Sequence, residues 1–159
     1  MTEPRDTISH AVTRVARLHR AAAGQLLRRS GLYPGQELLM MQLWDHGPQP
    51  QSRLIEELGL DASTVTRMVQ RLEQAGFVRR RRSDTDRRAV VVEPTAAAQA
   101  LHEQVLHAWE QLEDLTLHGL AEPERATIAT LLGRIEDNLR EPADPPGRPG
   151  GRAGGADGG

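Results

Sequence analysis

The densest chemistry in this chain lies in residues 77 to 94, FVRRRRSDTDRRAVVVEP. Six arginines and two aspartates fall between Arg79 and Arg88, a local charge of +4 in a protein of formal net charge -2. Such a cluster suits a solvated hairpin, a localisation signal or a nucleic-acid contact. All 20 basic residues are arginine in a chain also rich in Ala, Gly and Pro, so position carries the information and the choice of arginine over lysine does not. Residues 61–93 carry +3, whereas residues 94–141 carry -6. That segregation points to an anionic partner for one region only.

A second set of residues stands immediately before the cluster. Val65, Met68, Val69 and Leu72 recur at i, i+3, i+4 and i+7 and predict a helix from Ala62 to about Ala75 with that face inward. Asp61 is a suitable N-cap for it and Gly76 a suitable C′ residue. The outward face then presents Ser63, Thr64, Thr66, Arg67, Gln70 and Arg71, with Glu73 the sole acid. Arginine can bond guanine bidentately, glutamine can pair with adenine, and threonine can meet a thymine methyl or a phosphate. An ordinary solvated helix face would be richer in glutamate.

The elements around these residues follow from the same reading. Ile8, Val12, Val15, Ala22 and Leu26 predict a helix over about 7–30, and a second runs from Glu37 to about Asp45. His46 to Pro50 reads as punctuation, and Ser52 to Leu58 as a short helix stopped by Gly59. That short helix and the capped one after it make a helix-turn-helix. Phe77–Arg82 and Ala89–Glu93 predict a hairpin. Thr95 caps a long helix to about Gly119, and a last helix spans about 122–140. The fold class expected is mainly α with a small β-hairpin wing: a winged helix-turn-helix plus a helical dimerisation region.

Alternation along a strand sends Arg79 and Arg81 to one side and Arg80 and Arg82 to the other, so the four cannot share one DNA surface. Arg87 and Arg88, in the loop, are the better candidates for a narrow minor groove. Asp86 and Asp84 are expected to orient a neighbouring arginine through a charge-assisted bond. Ser52 and Arg53, with the Gln49/Gln51 region, are expected to add backbone contacts.

The stretch LIEELGLDASTVTRMVQRLEQAGFVRRRRSDTDRRAVVVEPT resembles the core of the MarR family of transcriptional regulators. The likeness rests on the helix-turn-helix, the Leu72-Glu73-x-x-Gly76-Phe77-Val78 step and the Asp86-Arg87-Arg88 wing, and helix order extends it to about residues 7–140. It implies that Asp86 and Arg88 act as a coupled pair. It further implies a homodimer built from the N-terminal and last two helices, and often a small aromatic effector between the DNA-binding and dimerisation regions. The stripes on 7–30 and 95–140 independently exceed what one small domain covers. Two departures stand out: Pro94 occupies the place of the usual Leu before the long helix, and Ala98 that of the usual Gly.

The expected organisation is a dimerisation helix (1–34), a DNA-binding domain (35–94), dimerisation helices (95–141) and a disordered tail (142–159) whose seven Gly and four Pro leave no apolar surface to bury. The expected partner is palindromic double-stranded DNA read by a dimer with half-sites about 34–36 Å apart. Residues watched for an effector are Arg14, His19, Tyr33, Trp44 and Trp109, each with a plainer core or surface role. The start MTEPRDTISH carries no apolar leader and no run approaches the roughly 18 apolar residues of a membrane span, so a cytoplasmic location is expected. The absence of cysteine excludes disulfides and thiol switches. His102, Glu103 and His107 miss zinc-protease spacing by one residue, so no metal, cofactor or catalysis is expected. Two other readings stay open: a basic module for RNA or an acidic protein with no operator, and a metal sensor.

Overall fold

The computed structural model describes residues 7–140; the expected disordered tail lies outside them. Six helices and three strands run in the order α1 (Ile8–Leu27, followed by a 3-10 turn at Arg28–Ser30), α2 (Gln36–His46), β1 (Gln49–Pro50), α3 (Gln51–Leu58), α4 (Ala62–Gln74), β2 (Val78–Arg82), β3 (Val90–Pro94), α5 (Ala96–Thr116) and α6 (Glu122–Arg140). Residues up to Thr116 form one compact unit, and α6 belongs to a second that begins at Leu117.

The core of the first unit is aliphatic. Leu39, Met40 and Leu43 of α2, Leu54 of α3, Val65, Val69 and Leu72 of α4, Val92 of β3 and Val105 of α5 are all at most 1 % exposed. Each such side chain contributes about 1.5–3 kcal/mol relative to exposure, so α4 is seated mainly by its three inward residues. Its ends are fixed as the sequence suggests. The Asp61 carboxylate accepts from the Thr64 N–H at 3.2 Å. At the other end Gly76 adopts φ 82°, the left-handed conformation glycine tolerates best. The Phe77 N–H then bonds the Leu72 carbonyl at 2.9 Å and the Gly76 N–H the Glu73 carbonyl at 3.0 Å, closing a Schellman turn that launches β2.

The sheet is antiparallel in the order β1-β3-β2. Here the structure corrects the sequence reading: Gln49 and Pro50, taken as punctuation, form a strand that pairs with Val92 and Val91. Two residues are too few for alternation to reveal a strand, and Pro50 lacks an N–H to advertise one. The two family departures are absorbed without distortion. Pro94 closes β3 opposite Val78, and the Ala98 methyl is fully buried. Thr95 secures the corner: its hydroxyl donates to the Gly76 carbonyl at 2.6 Å and accepts from the Ala98 N–H at 3.4 Å.

The N-terminal half of α1 is apolar yet open. Ile8, Val15 and Leu18 are 60 % or more exposed, while Ala23 and Leu27 near its other end are buried. In the second unit, Glu124 reaches back to the Ala121 N–H at 2.8 Å to cap α6, and Leu131, Leu132 and Leu139 are exposed.

Candidate nucleic-acid interface

Helix α4 presents Ser63, Arg67, Gln70 and Arg71 to solvent, with Thr64 and Thr66 partly covered. Their chemistry differs from a uniform row of donors. Ser63 donates its hydroxyl to Asp61 Oδ2 at 2.9 Å, and the Thr64 hydroxyl donates to the same carboxylate. Asp61 is consequently held below the usual carboxylate range, chiefly by Thr64 and then Ser63. Thr66 donates to the Ala62 carbonyl at 2.7 Å and accepts from Gln51 Nε2 at 3.1 Å, which locks α3 to α4. The three hydroxyl protons are therefore spent within the helix-turn-helix.

Arg67 and Gln70 have no side-chain hydrogen bond or ion pair among the described residues, and the Arg71 guanidinium lies 6.0 Å from the centre of the Tyr33 ring, at the edge of cation–π range. Arg67 and Arg71 share a groove with Arg20, Tyr33 and Thr64, between α4 and the turn before α2. Ser52 and Arg53 are exposed at the start of α3, where Arg53 approaches Glu57 at 3.9 Å. Ser52 shares a second groove with Asp86, Arg88 and Val90 of the wing. The Gln51 side chain serves the α3–α4 junction.

The wing divides its arginines in a way that charge counting does not show. Arg79 stands directly opposite Glu93 in the β2–β3 register. Its Nε donates to Glu93 Oε1 at 2.8 Å, and Arg81 Nε donates to Glu93 Oε2 at 3.0 Å. Arg81 also meets Asp84 at 3.4 Å. On the other strand face Arg80 turns to α4, where Glu73 accepts from its backbone N–H at 3.0 Å and from its Nη2 at 2.8 Å. Glu73 and Glu93 are both held below the usual carboxylate range, by Arg80 and by Arg79 with Arg81 respectively. Arg82, Arg87 and Arg88 are exposed, and their guanidinium groups have no carboxylate partner among the described residues.

Asp86 meets Arg88 through the backbone. Its Oδ1 accepts from the Arg88 N–H at 3.0 Å, and the Ala89 N–H bonds the Asp86 carbonyl at 3.0 Å. The expected guanidinium bond is absent, because an Asx turn two residues long brings the N–H closer than the long side chain. For Asp84 the expected bond to an arginine guanidinium is present.

The five residues watched for an effector do not converge. His19 meets Trp109 edge-on with ring centres 6.4 Å apart, Trp44 packs on His102 at 4.6 Å, Tyr33 sits beside Arg71, and Arg14 contacts His10 at 2.6 Å on the open part of α1. The indole N–H groups of Trp44 and Trp109 are buried and lack a hydrogen-bond acceptor among the described residues. No three His, Asp or Glu side chains among the described residues are placed to hold a metal; His107 pairs with Glu110 at 3.7 Å. The pairings of Glu73 with Arg80, of Glu93 with Arg79 and Arg81, and of His102 with Trp44 are the contacts that the sequence did not single out.

Known proteins share this geometry. Residues 32–90 match the model of the MarR family. The chain is 29% identical over 133 residues to the HTH-type transcriptional repressor NicR of Pseudomonas putida, covering 84% of each protein. Its fold superposes on BpsR of Bordetella bronchiseptica, whose DNA binding is regulated by 6-hydroxynicotinic acid, with a TM-score of 0.80, 26% identity, and coverage of 86% of this chain and 98% of BpsR. It is also similar to reduced AbfR in a DNA-bound structure, with a TM-score of 0.71, 26% identity, and coverage of 83% and 89%. The helix-turn-helix, the Schellman turn into the wing and the paired strands are thus those of a winged-helix DNA-binding fold, the fold of the MarR-family transcriptional regulators whose family model residues 32–90 match.

Proposed function

We propose that the protein is a homodimeric repressor that binds a palindromic operator in the cytoplasm and is released by a small aromatic effector. The observation that carries the DNA reading is the pairing of two arginine-bearing surfaces on one unit. Helix α4 offers Arg67 and Gln70 without internal hydrogen-bond partners, and the wing tip offers Arg87 and Arg88 without carboxylate partners. Arg67, Gln70 and Arg71 read base edges or phosphates in the major groove, and Arg87 and Arg88 enter the minor groove. Ser52, Arg53, Ser63, Thr64 and Thr66 contribute at the backbone: with their protons already engaged, the last three offer shape and oxygen acceptors more than donors. The similarity to AbfR, which has been seen on DNA, supports this assignment.

Two-fold assembly is supported by the open apolar residues Ile8, Val15 and Leu18 on α1 and Leu131, Leu132 and Leu139 on α6, which a monomer would leave in water. A dimer would bury them and space two recognition helices one helical turn apart. Effector control is supported by the regulation of BpsR by 6-hydroxynicotinic acid, and by two buried indole N–H groups here that lack acceptors and would gain one from a carboxylate or hydroxyl.

The test is selection of duplexes from a random pool at two salt concentrations. Enrichment of a palindrome, with affinity falling steeply as salt rises, is the expected result. Salt-sensitive binding with no enriched sequence would overturn the operator reading. Titrating 6-hydroxynicotinic acid while following tryptophan emission tests the effector: an emission change that coincides with loss of DNA binding is expected.

A further inference from the structure

We propose that Glu73 is a positioning residue for DNA recognition: it ties the recognition helix α4 to the first wing strand so that helix and wing engage DNA as one reader. The inference rests on the operator-binding reading above and goes beyond it by naming a residue that touches no DNA.

Glu73 is the single acid between Ala62 and Gln74, on a helix otherwise furnished for an anionic partner. Left alone, its carboxylate would oppose phosphate. It is not left alone. One oxygen accepts from the Arg80 backbone N–H at 3.0 Å, and the other from Arg80 Nε at 3.2 Å and Nη2 at 2.8 Å. A carboxylate with three charge-assisted or backbone donors in a fixed fork has little freedom to rotate. Both side chains are 35% exposed, so solvent screens the pair and its weight lies in fixed geometry more than in stability. The Arg80 bonds lower the Glu73 carboxyl below its ordinary range, so it stays ionised at neutral pH.

The location gives the pair leverage. Arg80 lies opposite Val92, on the strand face that also carries buried Val78, and is itself exposed, its guanidinium turned to α4. The other ties at this corner, from Thr95 to Gly76 and Phe77, hold only the root of the wing. Glu73 is the one α4 side chain, among the described residues, with a polar bond to a wing strand. Because the bond reaches past the Gly76 turn to the third residue of β2, it sets the angle of the strand and not just its starting point. Arg87 and Arg88 lie at the far end of that lever. A small error in angle at Arg80 becomes a larger displacement at the tip, out of register with Arg67 and Gln70.

The experiment measures affinity for the duplex selected by the wild-type protein, and for a scrambled duplex of equal length, together with the melting temperature. The variants are Glu73→Ala, Arg80→Ala, the double substitution and Glu73→Gln. Glu73→Ala and Arg80→Ala are each expected to weaken binding to the selected duplex about five- to tenfold, and the double variant no more than the worse single one, as for two halves of one interaction. Binding to the scrambled duplex changes by less than about threefold, because phosphate contacts are retained. Melting shifts by only a few degrees, since a part-exposed ion pair adds little to global stability. Glu73→Gln, which keeps an acceptor for the Arg80 N–H, recovers part of the loss. Glu73→Ala binding the selected duplex as tightly as wild type, or more tightly, would mark Glu73 as a surface carboxylate that merely repels phosphate. Additive losses in the double variant would equally overturn the inference. If the wild-type protein selected no duplex at all, the operator reading would fall first and this inference with it.

Discussion

The root and the tip of the wing carry similar sequence and opposite electrostatics. At the root, Arg79 and Arg81 converge on Glu93, and Arg80 on Glu73, so three guanidinium groups are consumed by the fold. At the tip, Arg87 and Arg88 have no acid partner, and the one nearby carboxylate of matching reach, Asp86, is occupied by a backbone N–H. Five of the six arginines therefore fall into two sets, with Arg82 exposed between them. The charges at the root are spent within the fold, and those at the tip are left open to the proposed DNA partner. Strand alternation divides the arginines between two faces, and the ion pairs at the root show that the local charge of +4 overstates what is left unpaired.

The most severe way to break the comparison is to remove the support shared by both sets. Leu72 is 1% exposed beneath α4, and Leu72→Ala is expected to cost about 2–5 kcal/mol in chemical denaturation, with DNA binding abolished at temperatures where wild type still binds. A smaller and more selective loss should follow Arg67→Ala. We expect specific binding weaker by about 1–3 kcal/mol, with scrambled DNA much less affected; equal losses on both would demote Arg67 to a phosphate contact.

Removing the root's counter-charge sharpens the contrast from the other side. Glu93→Gln leaves Arg79 without an anion and Arg81 with Asp84 alone at 3.4 Å, so binding to scrambled DNA at low salt should tighten, by about the affinity of one added phosphate contact. Unchanged or weaker binding would mean that the two arginines cannot reach phosphate even when released. The smallest effect is on pH. Glu73, Glu93 and Asp61 all have folded-state carboxyls held below their ordinary values, by arginine or hydroxyl hydrogen bonds. Their contribution is complete above the unfolded-state values and disappears as pH falls through the lower folded-state ones. Glu37 runs the other way: buried at the start of α2, its carboxyl is raised by desolvation, so its ionisation destabilises the fold as pH rises through that window. Glu37→Gln should therefore raise the melting temperature at neutral pH and steepen the net loss of stability on acidification.

The helices were legible because each buries one face and so writes a 3.6-residue period into the sequence; the predicted α4 and α6 differ from the observed ends by a residue or less. Asp61 and Gly76 were legible for a local reason, since caps depend only on neighbouring residues. What could not be read depends on residues far apart in sequence. The two-residue β1 exists only because β3 is beside it. Glu73 and Arg80 are brought together by a left-handed turn whose direction no periodicity encodes. The donor protons of Ser63, Thr64 and Thr66 were counted as available because hydroxyls mid-helix offer no sign of whether they serve the partner or the cap. Spacing placed the candidate DNA-contacting residues on one side of α4; it could not say which still had hydrogen bonds to give.

The division of the wing is tested most directly by the salt dependence of affinity for one duplex, measured by fluorescence anisotropy on the wild type, on Arg87→Ala/Arg88→Ala and on Arg79→Ala/Arg81→Ala. Removing one arginine–phosphate bond lowers the slope of log affinity against log salt by about 0.9. The account predicts a slope reduced by nearly two such steps for the tip variant and by well under one for the root variant. Equal reductions in the two would show that root arginines release their carboxylates to reach DNA, and would contradict it.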